Sequence, residues 1–89
     1  MIKVLFFGQL ADIAQRELGN SETSLSLTDD VTEITLSDLR LELGKKSTVL
    51  AEEINKPSNL CAINQVINKE DIMIKNSDEV AFMSPLSGG

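Results

Sequence analysis

The 89-residue chain has room for one small domain, burying only about 60% of its unfolded surface around a thin core. Hydrophobic residues make up 42% and charged residues 25%, ordinary globular usage that excludes wholesale disorder, and the net charge of -6 argues against nucleic acid or an anionic membrane surface as main partner. With no His and one Cys, disulfide scaffolds, zinc sites and His-dependent triads are excluded by count.

The N-terminal Ile2 to Phe7 reads as a strand, with Ile2, Val4 and Phe6 on one face and Lys3, Leu5 and Phe7 on the other. Both faces are largely apolar, so the strand is either covered twice or meets another protein on one side. Gly8 ends it. Leu10, Ile13, Ala14 and Leu18 then form the stripe of an amphipathic helix that stops at Gly19-Asn20. Residues 23–27 alternate weakly, as in an edge strand, before a polar turn at Thr28-Asp29-Asp30.

The second helix is announced by Thr35 as N-cap, Asp38 at N3, and Ile34 with Leu39 as a hydrophobic staple. Leu36, Leu39 and Leu43 form its buried stripe, and Gly44 is expected at the C′ position. A short helical piece over residues 47–55, or an irregular stretch before Pro57, follows. The remainder reads as strands: residues 60–64, a turn at Asn64-Gln65, Val66-Ile67, an extended piece around Ile72-Met73-Ile74, a turn at Asn76-Ser77-Asp78, and a closing strand over residues 79–83. This order fits an α+β domain, a mixed sheet covered on one face by helices.

The sequence given ends Ser84-Pro85-Leu86-Ser87-Gly88-Gly89, a segment that spans about 20 Å when extended. Two glycines can thread a narrow tunnel, and the carboxylate of Gly89 is then the reactive group on offer. A carboxylate is a poor electrophile until it gains a leaving group, most simply as an acyl-adenylate made from ATP; a persulfide or thiol attacking that carbonyl gives a thiocarboxylate or thioester, and an amine gives an amide. A plain flexible terminus fits the same residues.

Met1 to Gly8, Ile63-Asn64-Gln65, and Asp78 to Phe82 running on to Gly88-Gly89 together resemble the small subunit of molybdopterin synthase over the whole chain. The resemblance implies a ubiquitin-like β-grasp fold of about five strands with two to three helices on one face, with residues 1–83 as the domain and 84–89 as a flexible tail. It implies a sulfur carrier for molybdenum cofactor synthesis that binds no cofactor itself. Gly89 is adenylated by a ubiquitin-activating-type enzyme using ATP and Mg, receives sulfur from a donor enzyme as a thiocarboxylate, and gives it to cyclic pyranopterin monophosphate inside the large synthase subunit. Gly88, Ser87 and Leu86 are then the inserted neck, and Phe7, Ile67 and Met83 the partner-binding surface. The expected assembly is a cytoplasmic heterotetramer with two copies of each chain.

The residues themselves support Phe7 and Met83 as exposed apolar groups if Phe6 and Phe82 fill the core; the alternative is that helices cover both faces. Ile67 rests on the resemblance alone. The family's second aromatic and two prolines before the tail are here Met83-Ser84-Pro85, which predicts a looser tail base. Cys61 reads as a buried hydrophobe rather than a sulfur relay. Asp29-Asp30 and Glu52-Glu53 lack the further ligands a metal site needs, and the acidic surface serves solubility or steers docking onto basic partners. A thiamine-type carrier and a ubiquitin-like protein modifier are the competing readings.

Overall fold

The computed structural model describes residues 1–28 and 30–85. Its elements run β1 (Ile2–Phe7), α1 (Gln9–Leu18), β2 (Glu22–Leu25), β3 (Glu33–Thr35), α2 (Leu36–Lys46), α3 (Thr48–Ile54), β4 (Leu60–Ile63), β5 (Val66–Ile67), β6 (Met73–Lys75) and β7 (Glu79–Met83). The main sheet has the order β2-β1-β7-β4-β5, with β1 and β7 parallel at its centre and the other pairs antiparallel. This is the ubiquitin-like β-grasp arrangement.

One face of the sheet carries the core. Ile2, Val4 and Phe6 of β1 meet Val80 and Phe82 of β7 and Cys61 of β4 in one cluster with the buried residues of all three helices. Phe6 and Phe82 stack with ring centroids 6.0 Å apart, and the Arg40 guanidinium lies 5.1 Å from the Phe82 centroid. The expected stripes of α1 and α2 are the ones buried: Leu10 and Ala14 in the first, Leu36, Leu39 and Leu43 in the second.

The helix ends follow local chemistry. Gly19 closes α1 in the left-handed region at φ 81°, returning its N–H to the Gln15 carbonyl. Thr35 Oγ1 accepts the Asp38 N–H at 3.1 Å, as the capping pattern predicts. Gly44 is not the C′ residue: α2 continues to Lys46, and a Cβ at position 44 would stand 3.4 Å from Ala51 Cβ of α3. Ser47 divides the two helices instead, giving its N–H to the Leu43 carbonyl while its hydroxyl accepts from Leu50 N–H and donates to Glu17.

Two further departures lie in the stretch after α1. The edge strand β2 begins at Glu22 and ends at Leu25, earlier than the alternation suggests, and Leu27 packs on the core from the following loop. Unforeseen β3 pairs with β6 as a separate ribbon, Ile34 opposite fully buried Ile74. Among the described residues no helix is long and apolar enough to cross a membrane.

Candidate functional site

Among the described residues no helix covers the other sheet face, where Ala62 and Ala81 are buried between larger neighbours and polarity is graded from end to end. Cross-strand register places its side chains in rows, because alternate residues of each strand share a face. The first row is polar: Ser24, Lys3 and Glu79. In the middle row Glu22 is followed by Leu5, Ala81, Ala62 and Ile67 across four strands. The last row is Phe7, Met83 and Leu60. Phe7 and Ile67 are each 49% exposed and Leu60 43%, while Met83 and Leu5 are half-buried. Large apolar groups concentrated on an open sheet face mark an interaction surface.

Phe7, Ile67 and Met83 share this face, and among the described residues the helices lie on the other. Leu60 and Leu5 belong to it too. Period-two alternation set Leu60 and Ala62 against Cys61 and Ile63, so Leu60 was open to the same argument as Phe7.

The last row lies at the end of the sheet where the chain leaves β7. Ser84 is held there by the beginning of α1: its hydroxyl oxygen accepts the Gln9 N–H at 2.6 Å, and its N–H and hydroxyl both point at the Phe7 carbonyl at 3.4 Å. Gly8, between Phe7 and Gln9, has φ 67°, a conformation that L side chains rarely adopt. Its ideal Cβ would lie 2.3 Å from Ser84 Oγ. The hydroxyl thus ties the tail base where a missing proline suggested a looser one. Leu86, Ser87, Gly88 and Gly89, the proposed reactive tail, lie outside the described residues.

The opposite end of the sheet is closed by a polar lock. Asn64 and Gln65, at φ 50° and 70°, form the two-residue turn of the β4–β5 hairpin. The Asn64 carboxamide donates to Asp78 and accepts the Glu79 N–H. Asp78 also accepts the Lys75 N–H at 2.8 Å. Those bonds, the Lys75 amide foremost and then Asn64, hold the Asp78 carboxyl below its ordinary range.

Cys61 is buried in the core cluster, and desolvation pushes its thiol upward against a smaller opposing pull from Arg40. It lines a groove of about 540 Å³ between α2, the end of α3 and the loop after β5. Arg40 in that groove already donates to the Ile54 carbonyl and to Asn55, so its charge is committed within the fold. Among the described residues no three His, Cys, Asp or Glu side chains gather as metal ligands. Asp29 lies outside that set, and Glu53 pairs with Lys56 at 2.8 Å.

Three helices packed on one side of a mixed sheet with β1 and β7 parallel at its centre define a ubiquitin-like β-grasp domain, here with apolar side chains on the other sheet face beside the end of β7. The chain is a member of the ThiS family, whose model it matches over residues 4–89. It is 36% identical over 89 residues to the molybdopterin synthase sulfur carrier subunit of Haemophilus influenzae (strain ATCC 51907 / DSM 11121 / KW20 / Rd). To the protein of the same name in Escherichia coli (strain K12) it is 34% identical over 89 residues. Each alignment covers 100% of both chains.

Proposed function

We propose that this chain is the sulfur carrier subunit of a molybdopterin synthase and that the C-terminal acyl group of Gly89 is the carrier. An adenylating enzyme of the ubiquitin-activating type joins the Gly89 carboxylate to AMP, releasing pyrophosphate from Mg-bound ATP. The terminal sulfur of a donor enzyme's persulfide then displaces AMP. A thiol reductant splits the resulting S–S bond, leaving a thiocarboxylate. Inside the large synthase subunit this sulfur passes to cyclic pyranopterin monophosphate, and Gly89 returns to a carboxylate. The protein acts in the cytoplasm, two carriers with two large subunits.

The observation that carries this reading is the coincidence of two features at one end of the sheet. The apolar row Phe7, Met83 and Leu60 lies where the chain leaves β7 at Ser84, so a partner that covers the row meets the start of the tail at its edge. Gly88 and Gly89 add no side chains to block passage through a narrow channel.

The test is intact mass spectrometry of the chain produced with its adenylating and sulfur-donor enzymes. The expected product is heavier by the replacement of one oxygen with sulfur, and deletion of Gly89 removes that shift while the far-UV spectrum is unchanged. Accumulation of higher-mass conjugates on lysines of other proteins, without the sulfur shift, refutes the carrier role and identifies a protein modifier.

A further inference from the structure

Gln9 begins α1, and its N–H is one of the donors that a helix leaves without an intrahelical partner. Gly8, the residue before it, has no side chain to accept that hydrogen. The acceptor comes from the far end of the chain, Ser84 Oγ at 2.6 Å. Gly8 and Ser84 are mutually dependent here: any Cβ at position 8 would stand 2.3 Å from the Ser84 hydroxyl and 3.3 Å from its carbonyl oxygen.

We propose that Ser84 is a positioning residue, clamping the root of residues 85–89 to the start of α1 and thereby setting the direction in which that segment is presented to the partner. Three constraints meet at this point. The hydroxyl is held by Gln9, the Ser84 N–H faces the Phe7 carbonyl, and Pro85 fixes its own φ at about −65°. The side chain beside the clamp is Phe7, in the exposed apolar row, so the clamp joins the proposed docking face to the tail. A fixed root sets the heading of the chain at Pro85 once the body is docked, and so raises the fraction of docked complexes aligned for transfer. Body docking and tail delivery are then separable, the first carried by Phe7, Met83 and Leu60, the second by Ser84. The delivery role rests on the sulfur-carrier reading above.

The experiment compares the full chain with Ser84→Ala and Ser84→Thr. Amide hydrogen exchange reads the clamp: Ser84→Ala speeds exchange at Gln9 about tenfold, and Ser84→Thr keeps it near the parent rate. The affinity of the large subunit for the carboxylate form stays within about twofold for both, because the docking row is untouched. Single-turnover sulfur transfer from the thiocarboxylate, at saturating large subunit, falls about fivefold in Ser84→Ala and recovers to within about twofold in Ser84→Thr. Unchanged Gln9 exchange in Ser84→Ala overturns the clamp. Transfer at the parent rate despite a deprotected Gln9, or a loss matched by lost affinity, overturns the positioning role. A parent chain that never acquires the thiocarboxylate overturns the carrier reading and the delivery role with it, while Gln9 exchange still decides whether the clamp exists.

Discussion

Replacing Phe7 by Ala separates docking from folding. The ring is 49% exposed. A phenylalanine buries on the order of 200 Å² when fully covered, so a partner seated on the open face removes roughly 100 Å² from water at Phe7. At about 25 cal/mol per Å², less the portion that Ala retains, that contact contributes about 2 kcal/mol, or about thirtyfold in the dissociation constant. The cost to the fold is smaller, about 1 kcal/mol, because the ring lies outside the core cluster and part of its cover persists in the unfolded chain. For a domain of this size that lowers Tm by about 4–8 °C. Calorimetric titration of the large subunit at 25 °C, paired with a thermal melt, reads both quantities. Val66→Ala is the control: Val66 is 68% exposed, more than Phe7, but pairs with Ile63 on the helix side of the sheet. It should change the affinity less than twofold. Phe7→Ala binding within threefold of the parent while Tm falls would refute the open face as the docking surface.

The remaining predictions follow from titration and burial. Asp78 has its folded pKa depressed below the ordinary 3.8, so the unfolded state binds its proton first on acidification. Its contribution to stability is present above about pH 4 and is lost as pH falls through the depressed folded value. Asp78→Ala should therefore lower Tm at pH 7 and flatten the loss of Tm between about pH 4 and pH 2; an unchanged acid limb in that variant would contradict the Asn64–Asp78–Lys75 lock. Cys61, buried and with its thiol pushed upward, should react with an aromatic disulfide reagent only as fast as the protein opens, and Cys61→Ala should transfer sulfur at the parent rate. A loss of transfer in a folded Cys61→Ala chain would restore the relay that its burial argues against.

The elements legible in the sequence were those whose signal is local. Alternation in residues 2–7 and 79–83 gave the two central strands and the correct inward faces, because a period of two is imposed by the pleat. Thr35 was legible as a cap because its partner, Asp38, lies three residues away. The misses needed contacts that no short window contains. The strand β3 has only three residues, and its pairing of Glu33 with Lys75 spans 42 positions of chain. Gly44 fitted the rule for a helix end, but α2 runs on to Lys46 and breaks at Ser47, whose hydroxyl donates to Glu17, 30 positions earlier.

The same distinction explains why the site was only half legible. Which residues face outward follows from alternation, so Phe7 and Met83 were accessible to sequence reasoning, and Leu60 should have been. Where the outward patch lies relative to the tail depends on β1 and β7 running parallel, Phe7 beside Met83, with Leu60 on the next strand. Parallel neighbours finish at the same edge of a sheet. The last residue of the first strand, the first turn of α1 and the exit of the C-terminal chain are thereby brought to one place, and Gly8 leaves the space in which Ser84 fastens them together. An antiparallel β1–β7 pair would set the tail beside Lys3 and Ser24, at the polar end of the face. A partner gripping the apolar row would then hold the domain with its C-terminus directed away, so under the proposed function the strand direction is what couples docking to delivery.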